Sequence, residues 1–235
     1  MKDIEYSKMA HLYDKFYSNK NYDKEVMFIE KFVDNPSLKI LDAGCGSGTH
    51  VKILNDKGYD VRGFDKSKDM IEIANRKLDK HFIVDDLLEL QHKEKYDVII
   101  SFFAVFNHLK NYKQFETALN NLRNILKANG KIILDMHNPQ KNGCKKETVD
   151  NATRIMKWRK CNLFKKEFTK IKYIVDGRVY KTKHTFKIFN LGKLQKIANR
   201  LGFYKVEFYE NYNIENPARE NSKNIQMVMW RDKWG

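Results

Sequence analysis

Three glycines in five positions, Gly44, Gly46 and Gly48 of "ILDAGCGSGTH" (40–50), follow a short apolar run and precede a helical pattern, and Asp42 stands two residues ahead of the first. A strand, a glycine loop and a helix N-terminus together present bare N–H groups and the positive helix end to a polar ligand. A dinucleotide fingerprint begun at Gly44 needs glycine at position 49, where Thr49 stands. A carboxylate beneath the loop also repels a pyrophosphate, while it suits a ligand that carries positive charge. The next strand, "YDVRGFD", ends in Asp65, placed to accept both hydroxyls of a ribose. Met70 opens the following helix close to where an adenine ring would lie, and the third strand ends in Asp85 and Asp86, which can accept from an exocyclic amine. These groups describe a ligand with a ribose, an adenine and an ammonium or sulfonium group, and without phosphates.

The elements that must position these residues alternate. Two amphipathic helices, near 5–18 and 21–33, open the chain. Strand 38–43, helix 48–57, strand 60–65, helix 68–78, strands 82–85 and 96–102, helix 113–127 and strand 131–136 follow, with Asn129-Gly130 expected to close the last helix. Strands and helices alternating at this spacing predict a parallel sheet with crossover helices on both faces. Between 153 and 189 three stretches alternate apolar with basic residues around an Asp176-Gly177 turn, which predicts an inserted antiparallel sheet. A helix at 191–201 and strands at 203–209 and 225–231 return to the first sheet. The expected organisation is one domain: a helical lid (1–35), a ligand-binding core (36–138), a basic β insertion (139–190) and the return (191–235).

Lys+Arg number 45 against 30 Asp+Glu, a formal charge of +15, and the excess is concentrated. From Pro139 to Asn190 fifteen Lys/Arg face four acids, a net +11. The insertion therefore reads either as a solvated face or as a surface for an anion, here a clamp for the phosphate of an acceptor through Lys181 and Lys183. The start of the chain lacks the apolar centre of a signal peptide, and the longest near-apolar run, Val98 to Phe106, is half a membrane span. A cytoplasmic protein with no membrane partner is expected. Cys45, Cys144 and Cys161 have no metal-site spacing, so no metal is expected.

"LDAGCGSG", "GFDKSKDM", "VDDL" and "YDVIISFFAVFNHL", in this order and spacing, resemble the class I S-adenosylmethionine-dependent methyltransferases. The resemblance implies a Rossmann-like α/β fold, a doubly wound, mostly parallel seven-stranded sheet, with S-adenosylmethionine as cofactor. It places Gly44, Cys45, Gly46 and Gly48 against the methionine part, Asp42 as a negative field beneath the loop, Asp65 with Lys66 on the ribose, and Met70, Asp85, Asp86 and Leu87 at the adenine. Ser101 and Phe102 complete the cofactor wall. The segment 11–25, "FNHL" and the strand-rich insertion are similar to the N-methyltransferases of nucleotide-linked amino sugars and, more loosely, to glycine N-methyltransferase. In such enzymes N-terminal tyrosines close over the cofactor, which Tyr6, Tyr13 and Tyr22 match, and His108 faces the acceptor.

The resemblance thus implies His108 as an acceptor-side base or orienter, with Tyr13 beside it, and Asn107 and His137 among the acceptor contacts. Two departures stand out: Asn107 occupies the position of the family's glycine, and "DMHNP" lacks its tryptophan pair. Three functions fit: a methyltransferase acting on the amine or hydroxyl of a phosphate-bearing small molecule, an RNA or protein methyltransferase steered by the net charge, and a cofactor-binding module without catalysis. A monomer and a homodimer both fit.

Overall fold

The computed structural model describes residues 4–17 and 20–232. Its main sheet has the order β11-β10-β12-β5-β4-β1-β2-β3. The strands β1 (Lys39–Ala43), β2 (Asp60–Asp65), β3 (Phe82–Val84), β4 (Tyr96–Ser101) and β5 (Leu126–His137) run parallel. Their centres are buried on both faces, as a sheet covered by helices on either side requires: Ile40, Val98, Ile100, Ile132 and Leu134 are all inaccessible. Against β5 lies β12 (Asn224–Arg231), antiparallel, followed by β10 (Phe203–Glu210) and the short edge strand β11 (Asn213–Pro217). The edge strand is an addition to the seven strands expected. Its residues are exposed throughout, so they carry no apolar alternation for sequence reading to detect.

Helices α3 (Thr49–Asp56), α4 (Lys68–Lys77) and α5 (Tyr112–Ile125) form the crossovers, and α6 (Leu191–Arg200) precedes β10. Strand order reverses between β1 and β4, so the crevice at their carboxyl ends is the natural ligand site of the sheet. Asn129-Gly130 does not close α5, as the sequence suggests. The helix ends at Ile125, Leu126 already pairs with Tyr96, and the ladder resumes only at Val98–Lys131. The intervening residues bulge out, with Asn129 taking the left-handed conformation inside the strand rather than after the helix.

The insertion is a separate antiparallel sheet in the order β6 (Gly143–Val149), β7 (Ala152–Cys161), β8 (Lys166–Val175) and β9 (Arg178–Lys187). It has one strand more than the three stretches read from the sequence. The first helix, α1 (Ile4–Tyr17), packs Phe16 and Leu12 onto its inner face against Ala152 and Tyr173, while α2 (Asp23–Glu30) packs Val26, Phe28 and Ile29 into the core around β1.

Asn107 joins the two sheets. It is buried, donates from Nδ2 to the carbonyls of His137 (3.0 Å) and Lys187 (2.7 Å), and accepts from the His137 amide (2.9 Å). Its expected role as an acceptor contact is corrected, because every group it has is used in holding the ends of β5 and β9 together. Asn107→Ala is expected to lower unfolding free energy by about 1–3 kcal/mol, the cost of stranding buried polar groups, as read by chemical denaturation.

Candidate functional site

The glycine loop is as tight as its composition implies. Gly44, Gly46 and Gly48 all have positive φ (+81°, +53° and +76°). A Cβ at Gly44 would lie 2.8 Å from Val105 and one at Gly48 2.5 Å from Phe82, whereas one at Gly46 would meet nothing within 4 Å. The outer two glycines are therefore required by packing, and the middle one leaves backbone open to the crevice. Asp65 secures the loop from β2: its carboxylate accepts from Gly46 N (3.0 Å) and Ser67 N (2.8 Å). The Lys66 amide also faces it, and of a carboxylate's roughly four acceptor positions part remains open to the crevice.

Asp42 lies under the loop, 1% exposed, and its Oδ2 has no hydrogen-bond partner. Burial pushes its carboxyl up to about 7, with Asp65 and Asp135 adding to the rise and His50 opposing it. An orphaned, buried carboxylate oxygen beside open loop backbone fits a ligand that brings an N–H donor or a positive charge. A narrow crevice of about 40 Å³ runs along this point, walled by Tyr13, Tyr22, Cys45, His50 and Phe102.

Tyr13 also lines a second cavity of about 590 Å³ between the carboxyl ends of β4 and β5 and the inner face of the inserted sheet. Phe103 and Ala104 form its floor, both with left-handed backbone (φ 64° and 56°) although neither is glycine. Asp135, at the end of β5, holds this turn: Oδ1 accepts from Ala104 N (2.6 Å) and Oδ2 from the Tyr212 hydroxyl (2.8 Å). The Phe103 ring then packs near Tyr17, Tyr22 and His50, with the Lys20 ammonium 3.9 Å from its centroid. Lys20 pairs with Glu25, which also bonds His50 (2.8 Å).

The cavity brings together two of the expected histidines. His108 lies against Phe186 (4.6 Å between centroids) and His184 (5.9 Å), and burial, followed by His184 and Lys66, pulls it down to about 4. It is a neutral ring in an aromatic wall. His137 has a third of its side chain open, and its Nε2 lies 3.3 Å from Oε2 of Glu167 on β8. Glu167 is 4% exposed and bonded by the Thr169 hydroxyl. Burial raises its carboxyl, but His137 and Thr169 outweigh burial and leave it below the usual carboxylate range. Asn107 and the segment that ends β5 are thus in contact, since Asn107 holds the His137 backbone.

Other expected residues are placed differently. Lys181 and Lys183 are exposed, while their neighbours Thr182, His184 and Phe186 line the cavity. Strand alternation sends the two lysines to the far face of the sheet, so the expected phosphate clamp is corrected. Asp85 accepts from the amides of Asp86, Gln91 and His92 and so fastens its own loop, and Asp86 caps Leu88 N. Leu87 packs in the main core. Ser101 is inaccessible and donates to the Ala43 carbonyl (2.6 Å), tying β4 to β1. Cys45 is buried against Gly63, Met70 lines the larger cavity, Lys66 is exposed, and the side chain of Tyr6 lies outside the described residues.

Sequence reading missed Asp135, Tyr212, Glu167, and the pair Arg154 and Tyr173 on the inner face. Asp135 is a further acid at a strand end, a signal present in "LDMHNP"; Glu167 is one acid among many lysines and carries none. Among the described residues no cluster of His, Cys, Asp or Glu could hold a metal, and no helix is long and apolar enough to cross a membrane.

Comparison with known proteins agrees with this geometry. The chain is 31% identical over 217 residues to an uncharacterized protein of Methanocaldococcus jannaschii, covering 86% of this chain and 75% of that one. It is 26% identical over 132 residues to the dTDP-3-amino-3,4,6-trideoxy-alpha-D-glucopyranose N,N-dimethyltransferase of Streptomyces venezuelae, covering 54% of this chain and 56% of that one. The crystal structure of an S-adenosylmethionine-dependent methyltransferase from Clostridium acetobutylicum superposes with a TM-score of 0.80 at 19% identity, covering 97% and 99% of the two chains. Residues 10–207 match the family described as Methyltransferase domain, and with the glycine loop, the buried Asp42 and the crevice at the strand-order reversal this chain belongs to that family, as an S-adenosylmethionine-dependent methyltransferase.

Proposed function

We propose that the chain transfers a methyl group to the amine of a small molecule, such as an amino sugar linked to a nucleotide, bound in the 590 Å³ cavity. The observation that carries this reading is His137 at the wall of that cavity with the buried carboxylate of Glu167 3.3 Å behind its Nε2. When bound, S-adenosylmethionine supplies a methyl group on a positively charged sulfur. Gly46 backbone and Asp42 would hold its aminoacyl and sulfonium end, Asp65 its ribose, and the loop carrying Asp86 its adenine. Tyr13, shared by crevice and cavity, closes over the junction and excludes water.

Methyl transfer from a cationic sulfur to an amine nitrogen is an in-line displacement, with the neutral thioether as the leaving group. The protein's task is to align a nitrogen lone pair and to remove the proton that hides it. Glu167 Oε2 lies 3.3 Å from His137 Nε2 and has no aligned hydrogen-bond partner; in the proposed step the ring turns to donate Nε2–H to it, which leaves the Nδ1 lone pair to accept the proton. Buried, ionised Glu167 stabilises the imidazolium that results. His108, a weak base in an aromatic wall, positions the acceptor. Arg154 in the cavity is already paired with Glu147, and Lys20 with Glu25, so the amine end of the acceptor lies inside and any phosphate lies toward the mouth. The dimethyltransferase from Streptomyces venezuelae, which acts on an amino sugar, supports the choice of an amine.

Three outcomes test this. Asp65→Ala is expected to weaken S-adenosylmethionine binding by about 2 kcal/mol or more in calorimetry, because charge-assisted bonds to the cofactor and the loop are lost together. Asp42 has a folded-state pKa near 7, above its unfolded value of about 3.9, so its ionisation costs the empty protein stability as pH rises between those values. A cation bound beside it recovers that cost, and cofactor affinity is expected to rise from pH 6 to pH 8 with proton release. The slope should vanish in Asp42→Asn; a slope retained there removes Asp42 from the site. His137→Gln is expected to lower kcat by roughly 10²-fold at pH 7 with cofactor affinity unchanged, and the deficit should shrink as pH rises and the free amine deprotonates in water. An equal loss in His108→Ala, with no dependence on pH, would transfer the base role to His108.

A further inference from the structure

The charge that sequence reading assigned to an acceptor clamp lies on the outer face of the inserted sheet, and the register shows how it is arranged. Lys157, Lys170 and Lys183 stand directly opposite one another across β7, β8 and β9. Lys172 faces Lys181 in the next row, and Lys166 faces Lys187 near the end of the sheet. Like charges directly opposite across strands are destabilising, so this row of pairs works against the sheet that carries it. The acids of the insertion do nothing to relieve it. Glu147 and Glu167 belong to the inner face, bonded to Arg154 and close to His137, while Asp150 and Asp176 sit in turns with Lys15 and Asn151. The outer face carries no carboxylate among the described residues.

The remaining residues of that face discriminate between anionic partners. Ile155 stands in the Lys172–Lys181 row, while Ile174, Val179 and Phe168 occupy rows between and beyond the lysines, with Phe168 43% and Val179 49% exposed. At the tip of the β7–β8 hairpin, immediately before Lys165 and Lys166, Leu163 is 84% and Phe164 60% exposed. Among the described residues the face has no Asn or Gln to read base edges, and Arg159 beside Phe168 is its one position able to stack on a base, so RNA is kept as an outcome of the test; a second copy of the same face would bring lysine against lysine. Lysines interspersed with exposed aliphatic side chains, ending in an apolar tip, combine the two forces that hold a protein to an anionic bilayer: attraction to headgroups and shallow apolar insertion.

We propose that the outer face of the inserted sheet, with Leu163 and Phe164 at its tip, docks the enzyme peripherally on an anionic lipid bilayer. The cavity opens on the opposite face of the same sheet, so docking leaves the acceptor site free, and the proposal holds whatever the acceptor is. Lysine stems lie along the apolar rows while their ammonium groups reach the headgroups. Lys187, pulled down by burial and by Lys166, Lys193 and Lys165, is among the groups that gain from a neutralising surface.

The test is co-sedimentation of the full chain with phosphatidylcholine vesicles, alone or with phosphatidylglycerol at about one lipid in three. Binding is expected only to the mixed vesicles and should fall steeply between about 0.1 M and about 0.5 M salt. Lys157→Glu/Lys170→Glu should weaken it by about tenfold or more, since each basic residue near such a surface is worth roughly fivefold. Leu163→Ser/Phe164→Ser should weaken it without changing its salt dependence, and both variants should bind S-adenosylmethionine as the parent does. The proposal is overturned if mixed and neutral vesicles bind equally, if neither binds, or if the Lys157→Glu/Lys170→Glu variant binds as tightly as the parent while retaining cofactor affinity. It is also overturned if a short single-stranded RNA binds with the same salt dependence while the vesicles do not, or if the face mediates self-association.

Discussion

The Asp135 carboxylate holds two consecutive non-glycine residues, Phe103 and Ala104, in left-handed backbone by accepting from Ala104 N, and with its other oxygen it accepts from the Tyr212 hydroxyl at the end of β10. Each such residue stores strain of order 1–3 kcal/mol, tolerated only where the surroundings overdetermine it. Here the consequence is positional. The turn aims Phe103 into the cluster of Tyr17, Tyr22 and His50 beneath the N-terminal helices, and it delivers Asn107 and His108 to the opposite side. Without it neither the crevice nor the cavity would have its present wall.

From that turn the structure divides into the crevice at the glycine loop, the proposed cofactor side, and the larger cavity, the proposed acceptor side. The first depends on backbone: three left-handed glycines, the amides that Asp65 accepts, and an unpartnered oxygen of Asp42. The second depends on side chains of the inserted sheet reaching across to the end of β5, where Glu167 meets His137 and Asn107 ties both strands. Backbone recognition suits a ligand shared by a whole family. Recognition by side chains on an inserted sheet can change without disturbing the fold.

Electrostatics follows the same division. Around the crevice and cavity lie Asp42, Asp65, Glu25, Asp135 and Glu167, while the cations there, Lys20 and Arg154, are already paired. The excess positive charge is on the other face of the inserted sheet. A single alternating strand therefore carries two unrelated surfaces, and a net charge counted along it belongs to only one of them.

Much of the geometry around the glycine loop was legible in the sequence. Asp42, the glycine spacing, Asp65 and the order of strands and helices are local or periodic signals, because a strand buried on both faces must be an apolar run and a loop that approaches a ligand must lack side chains. The short polar strands β6 and β11 and the bulge at Asn129 carry no such signal. Nor could the chain alone say which of its acids were free: Asp85 and Asp42 look alike in sequence, and only the packed loop shows one spent on three amides and the other left with an unpartnered oxygen. The pairing of His137 with Glu167 joins residues 30 positions apart in the chain, and the facing of Lys181 and Lys183 turns on a register of one residue. The sequence by itself determined that a tight glycine loop over a buried carboxylate closes the end of β1. Tertiary structure alone decided which side chains share a cavity, because a side chain's face in a sheet is set by pairing with strands that its own neighbours do not specify.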